Sequence, residues 1–305
     1  MTTVQVQPHS FAVQNYSDSF FTNQPTDRRF ESSKYHAFFP VNSWKNSSQI
    51  NFYLPKWPGR TIWDLGETMV AVKIKLTDAK GAKVPDLSKV APVNNMMHSA
   101  FSDFKMYLSN VLITPNSMNY GYKKYFENVL SYNSDSKLSV LQGQGYYEDT
   151  PGAFNNMDGE ANIGFKNRME RFCQVNANGK PINYNDGTWL VGKLGCDLDH
   201  HIIGGIDVRL EFTLQKPEWY LNYALAVPPK VADFRFEVDK IVVFPMARVL
   251  TPPVFEKIEE LFKTKGEMVL PFRRREVVPY NIPVNSTNFL SGMLHYCFRD
   301  IFHNH

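Results

Sequence analysis

Cysteine is scarce. Cys173, Cys196 and Cys297 are the three in 305 residues. Their number is odd and no two stand at Cys-x-x-Cys spacing, so neither a disulfide framework nor a zinc finger organises the chain. Reduced, structural thiols in an intracellular compartment are the expectation. No run of about 18 apolar residues occurs, and no membrane span is predicted. The opening MTTVQVQPHSFAVQ lacks a charged segment followed by an apolar one, so no secretory signal is read. There is no glycine-rich phosphate loop and no carboxylate pair at a convincing spacing. Nor is there an excess of charge: Lys plus Arg number 33 against 30 Asp plus Glu, a net +3 that is too slight to demand a nucleic-acid partner.

What the chain does have is aromatic weight, 14% with 23 Phe and 15 Tyr, which leans toward strands. Its length suffices for one large β domain or two smaller ones. Period-2 alternation, the mark of a half-buried strand, recurs along it. Val70, Val72, Ile74 and Leu76 alternate with Ala71, Lys73 and Lys75. Phe104, Met106 and Leu108 alternate with Lys105 and Tyr107, and Asn110 then offers a cheap positive φ for a hairpin into Val111–Thr114. The cleanest alternation is Ile206, Val208, Leu210, Phe212 and Leu214, and Trp189 to Leu194 reads as another ordered stretch. Phe234, Phe236 and Val238 continue out of phase into Ile241 and Val243, which predicts a bulge near Asp239-Lys240.

Two helices are expected. In the first, Tyr122, Tyr125, Phe126, Val129 and Leu130 share one face, which predicts a helix laid over a sheet. In the second, Thr251 is a suitable N-cap, Pro252 fits the first turn and Gly266 the stop, with Phe255, Ile258, Leu261 and Phe262 as a buried stripe. Other stretches read as irregular. Residues 1–40 are polar and aperiodic, either a disordered leader or an arm that orders on a neighbouring subunit. LPKWPGRTIWDL, broken by Pro55 and Pro58, reads as a loop. Asn133 to Gly187 reads as a loop system with short strands such as Glu170 to Val175.

Candidate chemistry is thin. Cys196, Asp197, Asp199, His200 and His201 in CDLDHH are metal-ligand types, but neighbouring histidines are common at exposed strand ends. Arg273, Arg274 and Arg275 could touch phosphate, yet on a strand they alternate faces. His98, Ser99, Ser102 and Asp103 are too close in sequence to form a triad on a strand. No catalytic, cofactor-binding or metal residue is therefore assigned, and no enzyme or cofactor is expected. Trp57, Trp63 and Trp219-Tyr220 keep a carbohydrate-binding sandwich open as an alternative.

The stretch from Asn94 to Tyr132 resembles the major capsid proteins encoded by adintoviruses and Maverick/polinton-type elements. Asn94, Asn95, His98, Ser99, Phe101, Tyr122, Tyr125, Leu130, Ser131 and Tyr132 match that pattern, while Ser109-Asn110 stands where Asn-Gly is usual. Further likeness lies at Asp64-Leu65, at Phe272, Arg273, Arg274, Val277 and Val278, and at Asn288, Phe289, Gly292 and Leu294. His295 breaks it. The resemblance implies an all-β fold of the viral double-jelly-roll type. It divides the chain into an N-terminal arm (1–40), a first jelly roll (41–250), a connecting helix (251–266) and the beginning of a second roll (267–305), truncated, with residues 295–305 expected to come from a frameshift or mis-spliced gene. It also implies a structural role. Relatives would form homotrimeric capsomers that tile an icosahedral shell with penton or minor capsid proteins around double-stranded DNA, made inside a host cell. A domesticated host copy without a virion is the other reading.

Overall fold

Four antiparallel pairings, nested one inside the next, build the molecule. The computed structural model describes residues 28–78, 90–114, 118–154, 156, 158–172, 187–195, 205–216, 219, 221–223, 234–266, 275 and 277. Strand β1 (Phe30–Tyr35) pairs with β10 (Phe234–Leu250), and β2 (Gln49–Leu54) pairs with β8 (Val208–Leu214). Inside these, β3 (Thr61–Asp78) pairs with β7 (Thr188–Lys193), and β5 (Phe101–Leu108) pairs with β6 (Val111–Leu112). Cross-pairing of β10 with β3 and of β8 with β5 joins them into two four-stranded sheets, ordered β1-β10-β3-β7 and β2-β8-β5-β6. A long antiparallel ribbon rolled over itself gives this order, and it is the jelly-roll sandwich. A small third sheet pairs β4 (Val90–Pro92) with β9 (Leu221–Tyr223).

The inward faces of β3, β8 and β10 are those the alternation marks, and β2 adds a face of its own. Ile50, Phe52 and Leu54 from β2 and Val208, Leu210 and Phe212 from β8 meet Val70, Val72 and Ile74 of β3 and Val238, Ile241 and Val243 of β10, all buried. Phe212 is the aromatic centre, 4.9 Å from Phe104, 5.0 Å from Phe101 and 5.8 Å from Phe52 between ring centroids. The bulge lies where the phase change puts it. Val238 pairs with Ile74, Lys240 with Lys73, and Asp239 is the extra residue, its carboxylate 3.2 Å from Lys75. Without it Ile241 and Val243 would point to solvent. The hairpin forms at Ser109 (φ 45°) and Asn110 (φ 70°), both left-handed as a type I′ turn requires. An edge is guarded too: Asn42 Nδ2 donates to the Gln49 carbonyl and its Oδ1 accepts the Asn51 amide, occupying β2's outer side.

Elsewhere the structure departs from the reading of the sequence. Phe30–Tyr35, inside the stretch expected as an arm, is the edge strand of the first sheet, held by five registered partners from Leu250 to Met246. β3 starts at Thr61, within the supposed loop, because Thr61 to Asp64 pair with Val249 to Met246; both prolines precede it. Among the described residues that follow Asn133 the segment is helical rather than β, with short helices at Ser134–Leu138 and Ile163–Phe172 and a 3-10 turn at Val140–Gln144. Glu170 to Phe172 close the last of these, and residues 173–175 lie outside the described residues. We number the helices α1 (Met96–Ser99), α2 (Tyr120–Ser131), α3 (Ser134–Leu138), α4 (Ile163–Phe172) and α5 (Pro252–Lys265).

α5 ends as expected: Thr251 is the N-cap, Pro252 opens it, and Gly266 (φ 71°) donates its amide to the Phe262 carbonyl. Its stripe is not buried, however. No residue of α5 is buried, and Leu261 and Phe262 are exposed.

Candidate interaction surface

The polar residues around α1 and α2 form a latch, not a reaction centre. Asn94 bonds both backbone groups of Tyr147, accepting its amide at 2.9 Å and donating to its carbonyl at 2.6 Å. Arg168 of α4 is buried, with Nε donating to the Pro92 carbonyl (3.1 Å) and Nη1 to Asp149 Oδ1 (2.9 Å). The Asn94 and Pro92 bonds fasten the insertion between β6 and β7 to β4 and the turn after it, and the Arg168–Asp149 pair ties the insertion to itself.

His98 sits at the centre. Its Nδ1 accepts the Tyr120 hydroxyl at 2.9 Å and its Nε2 faces Gln144 Oε1 at 3.3 Å, a tautomer set by the partners' chemistry. Burial first and the Lys124 charge second, against the Gln144 bond, lower its pKa to about 3. The ring is neutral at any ordinary pH. Ser99 donates to the Asn94 carbonyl and Ser102 to the Thr213 carbonyl, while Asp103 accepts the Phe104 amide. The His, Ser and Asp residues of HSAFSD thus bond to different partners and make no triad.

α2 is inverted relative to expectation. Its buried residues are Tyr120, Lys124 and Asn128, at i, i+4 and i+8. Lys124 Nζ donates to Glu127 Oε2 (2.7 Å) and to the Gly195 carbonyl (2.6 Å). Gly195 turns that carbonyl inward with φ 62°, a conformation that favours glycine. Burial pushes the Glu127 carboxyl up, but Lys124, Lys123 and Arg275 outweigh it and hold it below its usual range. The apolar stripe faces out: Tyr122, Phe126 (49% exposed), Val129 and Leu130 (81% exposed), with exposed Trp219 edge-on to Tyr122 at 6.0 Å. Apolar side chains exposed along one helical face make this a candidate contact face. A clue in the sequence was available, since the polar set at i, i+4 and i+8 also keeps helical period.

Other candidates fall elsewhere. CDLDHH and Arg273–Arg274 lie outside the described residues. Arg275 pairs with Glu127 at 3.3 Å. Among the described residues no three metal-ligating side chains cluster, and no helix is long and apolar enough to cross a membrane. Trp63 is buried in the core and Trp57 packs 5.5 Å from it. The tryptophan platform of a carbohydrate module therefore does not form from this pair, because both rings serve packing.

No protein-family model matches the chain. An uncharacterized Caenorhabditis elegans protein, F54H12.2, is 35% identical over 97 residues, which is 30% of this chain and 23% of that protein. Among solved structures, a chain of the Sputnik virophage matches with TM-score 0.50 and 10% identity, covering 83% of this chain and 53% of that one. The Faustovirus major capsid protein gives TM-score 0.46 and 9% identity, over 88% of this chain and 60% of its own. This chain thus spans about half the length of the Sputnik chain. The nested pairing and the Sputnik match together identify the fold as the sandwich of the viral double-jelly-roll type.

Proposed function

We propose that this chain builds a protein shell, as a major capsid protein does, and carries out no chemistry. The observation that carries the reading is the β1-β10-β3-β7 over β2-β8-β5-β6 sandwich, shared in fold with the Sputnik chain. Two sheets packed over an apolar core give a rigid wall, and the apolar outer face of α2 offers a contact surface. Since one sandwich fold hosts many functions, the exposed apolar side of α2 supports the structural role together with the fold. The residue-level likeness around Asn94 to Tyr132 supports the adintovirus and Maverick/polinton lineage. With it come homotrimeric capsomers, penton or minor capsid partners, an icosahedral shell around double-stranded DNA, and a place in the virion after synthesis in a host cell. The likeness to a nematode protein favours a second reading, a copy domesticated in a cellular genome.

Antibody against the recombinant chain separates the two. Labelling of fast-sedimenting, nuclease-resistant particles from the source material is the expected result. Recovery of the protein only in slow-sedimenting fractions, from cells in which its gene is expressed, overturns the shell-building role.

A further inference from the structure

We propose that Arg275 and Val277 form a two-point clasp on α2, and that this clasp holds the chain beyond α5 against the sandwich. The inference concerns how the chain is fastened and does not depend on the shell-building role.

Two contacts of different chemistry define the clasp. Arg275 Nη1 lies 3.3 Å from Glu127 Oε1, and the Val277 carbonyl accepts from Asn119 Nδ2 at 3.0 Å. Glu127 and Asn119 are separated by about 12 Å along a helix axis. The chain from Arg275 to Val277 therefore runs antiparallel to α2, toward its N-terminal end. An extended step of this length advances about 7 Å, which leaves the remainder to the long arginine side chain.

The Glu127 carboxylate is shared. Lys124 Nζ takes Oε2 at 2.7 Å from the buried side, with its side chain 5% exposed. Arg275 takes Oε1 from the surface, with its side chain 53% exposed. One carboxylate thus joins a buried cation and a surface one, one to each oxygen. The clasp follows the Glu127 flank of the helix and leaves the apolar stripe open, with Tyr122, Phe126 and Leu130 exposed. Neither contact is strong alone. An exposed ion pair contributes little and is screened by salt, and a single neutral hydrogen bond is modest. Acting on one short segment, each raises the effective concentration of the other. Loss of either should therefore loosen both.

The test is limited trypsin digestion of the full 305-residue chain, read as the ratio of cleavage after Arg275 to cleavage after exposed Lys56. Trypsin must take the Arg275 guanidinium into its own acidic pocket, so cleavage there requires an open Glu127 bond and tracks the open population. Asn119→Ala removes the other contact, and Asn119 makes no side-chain capping bond to α2 that would be lost with it. The expected result is a rise of about fivefold in the ratio, the factor that one modest contact carries. Raising the salt from about 0.05 M to about 0.5 M on the unaltered protein should raise the ratio too, because the Arg275–Glu127 arm is screened. A ratio unchanged by Asn119→Ala overturns the proposal. A response to Asn119→Ala with none to salt overturns the two-point clasp. If Asn119→Ala speeds both cuts alike, the fold has loosened generally and the salt response of the unaltered protein decides: a rise supports the clasp, and a flat ratio overturns it.

Discussion

Lys124 Nζ lies 2.7 Å from Glu127 Oε2 on the inward flank of α2, with side chains 5% and 17% exposed. The pair explains why the helix sits with its polar side down. The cation also meets the Gly195 carbonyl at 2.6 Å, so the buried ammonium has partners that offset its desolvation. Turning the helix over would strip them away.

Removing the cation should therefore be costly. Lys124→Met leaves the Gly195 carbonyl without its donor and Glu127 with Arg275 alone, and the expected loss is about 3 kcal/mol. The double variant Lys124→Met, Glu127→Leu should recover part of it. Chemical denaturation of the three proteins measures this, and a double variant no better than the single one would refute the pair's role.

The core predicts a sharper contrast. Phe212 is 1% exposed and touches three aromatic rings, so Phe212→Ala should cost about 3–5 kcal/mol. Its neighbour Glu211 points outward, where Gln49 Nε2 donates to it at 3.1 Å, and Glu211→Ala should stay within about 0.5 kcal/mol. Equal shifts in a urea titration would mean that β8 presents the other face.

His98 predicts acid sensitivity. Unfolded, the imidazole takes its proton near its model value of 6.5, whereas burial and then Lys124 delay this to about 3 in the folded protein. The unfolded state binds more protons between those values. The stability contribution is thus full above pH 6.5 and is lost as pH falls toward 3, at up to ~1.4 kcal/mol per pH unit. His98→Gln should flatten the pH dependence of the urea midpoint between pH 6.5 and 4. A variant that follows the wild-type slope would assign the effect to other groups.

The β5–β6 turn can be improved. Asn110 holds φ 70°, which costs a residue with a side chain about 1–2 kcal/mol, less for Asn. Asn110→Gly should raise the melting temperature slightly, and Asn110→Val should lower it by more. The reverse order would show that the turn is not type I′ in solution.

Much of the fold was legible from neighbours in sequence. Alternation located the inward residues of β3, β5, β8 and β10, the phase slip located Asp239, and Thr251, Pro252 and Gly266 bounded α5. Each is a local property: a period, a turn or a cap is written in a few adjacent residues. Tertiary structure decided the rest. Phe30–Tyr35 has no alternating pattern and becomes a strand only because β10 supplies its ladder partners. Thr61 to Asp64 extend β3 for the same reason. α2 shows most plainly where sequence stops: its period established a helix with an apolar side, but a period carries no information about what stands opposite. Lys124 and Tyr120 face the sandwich because the Gly195 carbonyl and His98, from two other parts of the chain, meet there to satisfy them. Only the folded chain brings those groups together.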